Sequence, residues 1–332
     1  MRRTLAKLLL LWTVALLLAF LTIGHSMATA ATLSRDINSY VLFGLESLSV
    51  KGRNVQTDRG FILGGNVGVN RQEPNTNNWL MSLGANGYLE MGNNTQVVAD
   101  SLRADEANVY DLFVNRLNSN SPATLRGSQS TFTPPIIASL PALPFTPNRT
   151  STNNAADVQV LTGQNVTLTA NTAYGALDVN DNAVLNLTDG LYDFRNFNIG
   201  KGVTVNVTDN TFLQIDQGFF LNEGSTFGVG TSAGAQIYVG ADGLTGANDV
   251  AANLGRGGRN AQQTIYAQLY SPNGDFNMGN HSNLYGRFWA RNISDDWNTN
   301  ATYMNPVPIP GAVWLLGSGL MGLVAVRRKA KG

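Results

Sequence analysis

The sequence predicts an all-β body, built as a right-handed parallel β-solenoid (β-helix), over residues 31–305. Short stretches rich in β-branched and aromatic residues alternate there with Gly, Asn and Asp, which is typical of strands separated by tight turns. Polar and apolar residues alternate within these stretches, and one pattern recurs after twenty residues. A β-sandwich, whose strands are also short and regularly spaced, is the alternative.

The recurring pattern sets the expected size of one solenoid turn. The sequence "LNLTD" at residues 185–189 is followed twenty positions later by "VNVTD" at residues 205–209. A period near twenty residues corresponds to one coil that stacks on the next and buries a continuous interior. We therefore predict stacked parallel strands from about residue 158 to 239, with polar residues such as Asn206 facing solvent. The residues expected to point inward are Leu185, Leu187, Val205 and Val207. Asn is expected at the corners because it tolerates left-handed backbone conformations.

The first 30 residues are predicted to be a signal peptide. Arg2, Arg3 and Lys7 precede an apolar run over residues 8–23, and Ala28-Thr29-Ala30 forms an A-x-A cleavage pattern. The run of sixteen residues is short for a membrane span, which favours cleavage after Ala30 over an uncleaved anchor. The chain is therefore expected to be exported.

A Pro-rich segment interrupts the strand pattern over residues 131–154, which contain five prolines. Proline cannot donate to a sheet ladder, so we predict an excursion that lies along the flank of the solenoid. An interdomain linker is the alternative, and such linkers are usually more polar. The apolar residues expected to hold the excursion in place are Ile136, Ile137, Leu140, Leu143 and Phe145.

Residues 306–332 combine prolines, an apolar segment and a group of cations. Residues 311–326 would span about 24 Å as a helix, a little less than the hydrocarbon core of a bilayer. We predict a transmembrane helix there, because Lys and Arg beyond its end favour the cytoplasmic side and leave the body outside the inner membrane. The residues assigned to the helix are Trp314, Leu315, Leu316, Leu320 and Leu323, and those of the basic tail are Arg327, Arg328, Lys329 and Lys331.

These C-terminal residues resemble the PEP-CTERM family of sorting signals, in its V-P-x-P-A variant. Val307-Pro308-Ile309-Pro310, the apolar segment and the basic tail follow the order of the family. The chain departs from the family in having Gly311 where many members have alanine, and Ile309 rather than glutamate between the prolines. More diffusely, the body resembles exported bacterial proteins with polar β-helical bodies, through "GLYDFRNFNIGKGVTVNV" and "NLYGRFWARNIS".

The PEP-CTERM resemblance implies recognition by an exosortase, a membrane-embedded cysteine transpeptidase-like enzyme of Gram-negative bacteria that make extracellular polysaccharide. It implies a precursor held in the inner membrane and then transferred to the cell surface or extracellular matrix. Signal peptidase and exosortase are therefore the expected partners, and extracellular polysaccharide is considered as a further one.

Composition excludes several classes of function. The chain has no cysteine, which excludes disulfides, thiolate metal sites and a cysteine nucleophile. The 22 Lys and Arg residues are balanced by 22 Asp and Glu residues, so the chain has no net positive charge that would attract nucleic acid. His281 is the one histidine left after signal cleavage and is expected in a turn, so no histidine metal cluster can form. We therefore expect no cofactor.

Carboxylates are the remaining source of chemistry. At solenoid spacing several of them fall at corners, where acids satisfy turn backbones, so we assign no catalytic residue. Calcium could bridge such corners, but the Gly-Asp nonapeptide repeats of calcium-binding β-helices are missing. The residues concerned are Asp178, Asp181, Asp189, Asp193 and Asp209, with Arg195 nearby.

Two functional hypotheses follow. The first is an exported, non-catalytic structural or adhesive protein of the bacterial cell surface or extracellular polysaccharide matrix. The alternative is a polysaccharide lyase or hydrolase on a β-helix, whose turnover would depend on Asp189 or Asp209. Asp295-Asp296 beside Trp297 would suit a sugar contact, although an exposed turn is the simpler expectation.

Overall fold

The computed structural model describes residues 31–51, 60–72, 79–85, 89–93, 95–105, 107–119, 124–137, 140–147, 150–228, 234–241, 250–255, 257, 261–295 and 299–304. The chain divides into two compact units, Met1–Thr32 and Leu33–Gly332. All strands of the described residues belong to the second unit.

Nearly all regular structure in the described residues is β-strand. After a 3₁₀ turn at Ile37–Ser39, the first half contains β1 (Tyr40–Lys51), β2 (Gly60–Leu63), β3 (Asn66–Val69), β4 (Met81–Ala85), β5 (Leu89–Met91), β6 (Gln96–Ala104), β7 (Ala107–Val109), β8 (Asp111–Ser119), β9 (Thr124–Leu125) and β10 (Gln129–Ser130). A short helix, α1 (Thr150–Asn153), precedes β11 (Val158–Val160), β12 (Asn165–Leu168), β13 (Thr172–Val179), β14 (Val184–Leu187), β15 (Gly190–Ile199), β16 (Thr204–Val207), β17 (Thr211–Leu221) and β18 (Thr226–Phe227). The remaining strands are β19 (Gln236–Val239), β20 (Val250–Leu254), β21 (Gln263–Ser271), β22 (Asp275–Asn277), β23 (Ser282–Ser294) and β24 (Asn300–Tyr303).

Every strand pairing among the described residues is parallel, whereas the sheets of a β-sandwich are antiparallel. From β11 to β16 each strand pairs with the second strand after it, for example β13 with β15 and β14 with β16. Every two strands, the chain therefore comes back beside the strand that it formed one turn earlier. We call each such turn of the chain a rung.

The twenty-residue repeat coincides with this pairing. Leu185 lies opposite Val205, and Leu187 lies opposite Val207. Leu185, Leu187 and Val205 are at most 1% exposed, and Val207 is half-buried against the same core. The prediction of stacked parallel strands over residues 158–239, with this apolar set directed inward, is confirmed.

The polar positions between these residues form an amide ladder. The Asn186 side chain donates to Asn165 Oδ1 at 2.6 Å, and the Asn206 side chain donates to Asn186 Oδ1 at 2.8 Å. Asn206 lies on the face opposite the buried Val205 and is partly exposed, as expected, while this hydrogen bond covers part of its side chain. Each rung is thereby joined to the next by side-chain as well as backbone hydrogen bonds.

A column of left-handed residues turns the chain at one corner. Gly163, Asn182, Gly202 and Gly224 have φ of 72°, 57°, 64° and 70°. The strand registers place them at equivalent positions of successive rungs. Glycine adopts this conformation without steric cost, and Asn adopts it more readily than other residues. The expectation of Asn at corners is confirmed here and at Asn171, with φ of 58°.

Aromatic side chains fill much of the interior of the second half. Phe194 and Phe197 meet edge to face at 4.9 Å between ring centroids, as do Phe219 and Phe227 at 5.6 Å. All four side chains are fully buried. Burial of each contributes about 1.5–3 kcal/mol before the cost of ordering the chain is counted.

The order of the rungs in space differs from their order along the chain. β23, near the end of the body, pairs with β1, so that Phe288 lies opposite Leu42, and β24 pairs with β2. From β1 the stack continues through β3, β6 and β8 to β10, whereas the second half starts at β11 and proceeds rung by rung to β23. The two halves of the chain therefore meet in the middle of the stack, and β10 and β11 lie toward opposite ends.

The Pro-rich segment connects those two ends, and its described residues contain no strand between Thr131 and Pro147. Near the first-half rungs, Arg35 donates to the Pro135 carbonyl at 2.9 Å. Further along, Tyr270 on β21 donates to the Pro141 carbonyl. Among the five apolar residues expected to hold the segment, Ile136 and Ile137 are buried, and Leu140, Leu143 and Phe145 are half-buried.

Candidate functional site

Two columns of large side chains lie on the outer face of β19, β21 and β23. In the first column Gln236 lies opposite Gln268, and Gln268 lies opposite Arg287. In the second, Tyr238 lies opposite Tyr270, and Tyr270 lies opposite Trp289. The alternating positions Ile237, Leu269 and Phe288 are fully buried, so the strand period of two directs both columns outward.

The aromatic column forms one wall of a cleft. Tyr238 and Tyr270 meet edge to face at 6.4 Å between ring centroids, and Tyr270 and Trp289 meet at 5.9 Å and 78°. The Trp289 indole donates to the Tyr40 carbonyl at 3.2 Å, which fixes the plane of its ring. Tyr238 and Trp289 are half-buried, whereas Tyr270 lies under the Pro-rich segment and is 4% exposed.

The cleft has a volume of about 200 Å³. Its lining combines aromatic rings, amides and one cation, a combination that suits a ligand with both apolar faces and hydrogen-bonding groups. The lining residues are Asn38, Pro141, Gln236, Tyr238, Gln268, Leu269, Tyr270, Arg287 and Trp289.

Arg287 is the one charged residue in this lining. Its Nε donates to Gln268 Oε1, its Nη1 donates to Asn38 Oδ1, and its guanidinium lies over the Trp289 ring, 5.2 Å from the centroid. Burial lowers the pKa of Arg287 from its usual value, but an arginine remains protonated throughout the physiological range. The positive charge is therefore permanent and held in one position by neutral groups.

The tyrosine hydroxyl groups of the cleft stay protonated at neutral pH. Burial raises the pKa of Tyr270 to about 12, and burial also raises the pKa of Tyr238, although the nearby Arg287 charge acts against this. Tyr238 hydrogen-bonds the Gln236 side chain through its hydroxyl group. These phenols consequently serve as neutral hydrogen-bonding groups.

The aromatic surface extends along the same two strands. Tyr266 and Tyr285 lie opposite each other, two residues before Gln268 and Arg287, and their rings stack at 4.5 Å with an interplanar angle of 7°. A second, shallower groove of about 420 Å³ lies on the other side of Tyr270, where the Pro-rich segment faces Pro272 and Asn273. Half-buried aromatic and polar groups thus continue beyond the cleft.

The carboxylates that sequence reasoning singled out bind protein groups instead of converging. Asp181 accepts the Lys201 backbone N–H at 2.7 Å, and Asp178 accepts the Asn198 amide at 2.7 Å. Asp189 accepts hydrogen bonds from Thr208 and Asn210, which lower its pKa. These contacts join neighbouring rungs. Asp181 and Asp189 lie between strands, as expected for acids at corners, whereas Asp178 lies within β13.

The remaining carboxylates named in the sequence analysis, Asp193 and Asp209, also do not meet at a common site. Arg195 pairs with Asp157 at 2.7 Å, Asp193 is buried, and Asp209 is exposed. Within the part of the chain that the structure describes, no group of three or more His, Asp or Glu side chains could hold a metal ion.

The end of β23 differs from expectation. Asp295 is 1% exposed and accepts the Lys51 backbone N–H at 2.6 Å, so it is neither a sugar contact nor part of an exposed turn. Asp296 and Trp297 lie outside the described residues. His281 has φ of 55°, which confirms its prediction as a turn residue.

The terminal signals lie outside the described residues. This applies to signal cleavage at Ala28 and Ala30, the sorting motif at residues 307–310, the membrane helix at 311–326 and the basic tail. A search of the described residues finds no helix long and apolar enough to cross a membrane.

Sequence reasoning missed the cleft entirely. The available signal was the recurrence of Tyr, Gln, Arg and Trp at every second position of "QIYV", "TIYAQLYS" and "LYGRFWAR". Such alternation predicts a polar and aromatic outer face, but it does not show which residues of different strands lie side by side.

No protein-family model matches the chain, and no curated protein matches it. Among solved structures, the chain is similar to a crystal structure of an ice binding protein from an Antarctic bacterium, Flavobacteriaceae, at 11% identity. That match covers 85% of this chain and 100% of the other, with a TM-score of 0.23.

Proposed function

We propose that the body is a non-catalytic adhesive protein that binds polysaccharide along the outer face of β19, β21 and β23. The observation that carries this proposal is the cleft in which Tyr238 and Trp289 stand beside Gln236, Gln268 and Arg287. Aromatic rings offer flat apolar surfaces to the C–H faces of a sugar ring, while amide and guanidinium groups bind its hydroxyl groups. A stack of parallel rungs presents these groups in columns, which suits an extended polymer.

The parallel rungs are interpreted as a right-handed β-solenoid. Connections between parallel strands of one sheet are right-handed in about 98% of known cases. A rigid stack of this kind holds the cleft residues on strands instead of loops, which lowers the entropy lost on binding.

Export and sorting complete the proposal. The signal peptide would bring the body across the inner membrane, and the PEP-CTERM-like segment would present it to an exosortase for transfer to the cell surface or matrix. Intact-mass analysis of the released protein is expected to show loss of residues 327–332. Replacement of Pro308 and Pro310 by alanine should retain the precursor at the inner membrane, and release of that variant at the normal rate would contradict the sorting proposal.

The binding proposal is tested by affinity electrophoresis of the full chain, kept in mild detergent, through gels that contain soluble polysaccharides. Retardation by at least one polysaccharide is expected. Trp289→Ala and Tyr238→Ala should each weaken it about tenfold or more, because aromatic anchors dominate such sites. Tyr110→Ala is the matched control, since Tyr110 is a half-buried tyrosine between β7 and β8, outside the cleft.

The result can also contradict the proposal. No retardation by any polysaccharide, or equal loss in the Tyr110 control, would do so. The release of reducing ends or unsaturated products is measured in the same samples. Turnover that disappears in Asp189→Asn or Asp209→Asn would support the alternative of a lyase or hydrolase.

A further inference from the structure

We infer that the cleft contains a subsite for the carboxylate of an acidic sugar residue, and that Arg287 binds it. This inference rests on the proposed function, because it names the class of polysaccharide that the same cleft recognises.

Arg287 is half-buried, yet none of the ion pairs within the described residues includes it. Two other half-buried arginines of the second half pair with acids, Arg195 with Asp157 at 2.7 Å and Arg291 with Asp275 at 2.9 Å. A cation that loses water without gaining a direct ion pair raises the free energy of the folded state. Asp36 acts on this charge only from a distance, raising the pKa of Arg287 without forming an ion pair with it. The charge at the cleft is therefore only partly compensated, which favours the entry of an anion.

The contacts of Arg287 leave part of its guanidinium available. Nε and Nη1 each donate to a neutral amide oxygen, from Gln268 and Asn38, whereas Nη2 donates to no acceptor among the described residues. The indole of Trp289 supports the guanidinium plane from one side. The donors left for a carboxylate are the two N–H groups of Nη2 and the second N–H group of Nη1. Because the guanidinium plane is already held in place, hydrogen bonds from these two nitrogens to a carboxylate form with a reduced entropy cost.

The surroundings of the charge select a sugar acid over a simple anion. Trp289 and Tyr238 line the same cleft, so a ligand bound at Arg287 also meets aromatic rings. The volume of about 200 Å³ is below the roughly 300–1,000 Å³ of pockets for drug-sized molecules. That space suits one sugar residue of a longer chain, with its ring near the aromatic side chains and its carboxylate near Arg287.

The direct experiment compares acidic polysaccharides with their own neutral forms. The full chain, in mild detergent, is titrated calorimetrically with polygalacturonate, alginate and hyaluronan, and with the carboxyl-reduced derivative of each. Dextran sulfate provides the comparison with a sulfated polymer. At least one acidic polymer is expected to bind about tenfold to a hundredfold more tightly than its reduced form, and this preference should fall as salt is added.

Three variants assign the preference to one residue. Arg287→Gln should bind an acidic polymer and its carboxyl-reduced form about equally well. Arg287→Lys should keep only part of the wild-type preference for the acidic form, because an ammonium keeps the charge but lacks the planar arrangement of donors. Arg195→Gln removes the same charge away from the cleft and should leave the ratio unchanged. Thermal melts of each variant identify any loss of fold, and the wild-type comparison requires no substitution.

Each other outcome overturns the inference in a distinguishable way. Equal binding of acidic and reduced polymers, still weakened by Trp289→Ala, would reject the carboxylate subsite and leave the proposed function standing. An acidic preference that persists in Arg287→Gln would place the anion elsewhere. Tighter binding of dextran sulfate than of every carboxylated polymer would assign the subsite to sulfate esters. Failure of all polymers to bind would overturn both the inference and the proposed function.

Discussion

The guanidinium of Arg287 lies over the indole ring of Trp289, 5.2 Å from its centroid, on the strand that joins the two halves of the chain. The indole also donates to the Tyr40 carbonyl at 3.2 Å, and Tyr40 begins β1. The cleft is therefore built at the joint where β23 of the second half pairs with β1 of the first. Its geometry depends on correct assembly of both halves.

Substitutions at two adjacent positions test which side chains of β16 point into the core and which point outward. Val205→Asp should lower the free energy of unfolding by several kcal/mol, because Val205 is fully buried and the new carboxylate would have no partner. Asn206→Asp should cost only about 1–2 kcal/mol, since it replaces one hydrogen bond to Asn186 Oδ1 by a contact between two acceptors. Urea unfolding at neutral pH measures both values. Equal destabilisation by the two substitutions would mean that the assignment of inward and outward side chains in this strand is wrong.

Gly163 tests the left-handed corner column. Its φ is 72°, and no heavy atom beyond its two chain neighbours lies within 4 Å of where a Cβ would be placed, so a substitution there probes mainly the backbone conformation. Gly163→Val should lower the free energy of unfolding by about 1–2 kcal/mol, because a β-branched residue strongly disfavours this region. Gly163→Asn should lower the free energy of unfolding by only a small fraction of the loss caused by valine, since Asn182 occupies the equivalent position on the next rung. Thermal or urea melts in which valine and asparagine behave alike would contradict the corner assignment.

The buried phenol of Tyr270 predicts a pH dependence at high pH. Burial raises its pKa to about 12 in the folded protein, against about 10 in an unfolded chain. Because the folded state binds this proton more tightly, the stabilising effect is complete below about pH 10 and is lost as the pH rises toward 12. Tyr270→Phe should be less stable than wild type by about 1 kcal/mol at pH 8, through loss of the hydrogen bond to the Pro141 carbonyl. That difference should shrink and then reverse in urea unfolding measured from pH 8 to 11.5, whereas a constant difference would argue against burial of the hydroxyl group.

The second half of the fold was predictable because its repeat is local. In β14 and β16 the apolar residues alternate with polar ones at an interval of twenty, so both the pairing of Leu185 with Val205 and its inward facing follow from the strand period. The first half lacks this regularity. Val97 pairs with Leu112 after fifteen residues and Leu48 with Met81 after thirty-three, and such variable intervals leave no repeat to detect.

The joint and the cleft were not predictable for a related reason. The pairing of Leu42 with Phe288 connects residues at opposite ends of the body, and its energy comes from tertiary contacts without a local sequence signal. Alignment of Gln236, Gln268 and Arg287 requires intervals of thirty-two and then nineteen residues between paired positions. The long insertion between β19 and β21 hides that register from any search for a fixed period.

Hydroxyl-radical footprinting of the full chain, with and without a bound polysaccharide, tests the account most directly, because mass spectrometry reads the oxidation of individual Tyr and Trp side chains. The account predicts that polysaccharide protects Trp289 and Tyr238, both half-buried in the cleft, while the half-buried Tyr110 oxidises at an unchanged rate. Protection of Tyr110 with unchanged oxidation of Trp289 would place polysaccharide binding elsewhere on the protein and contradict the account.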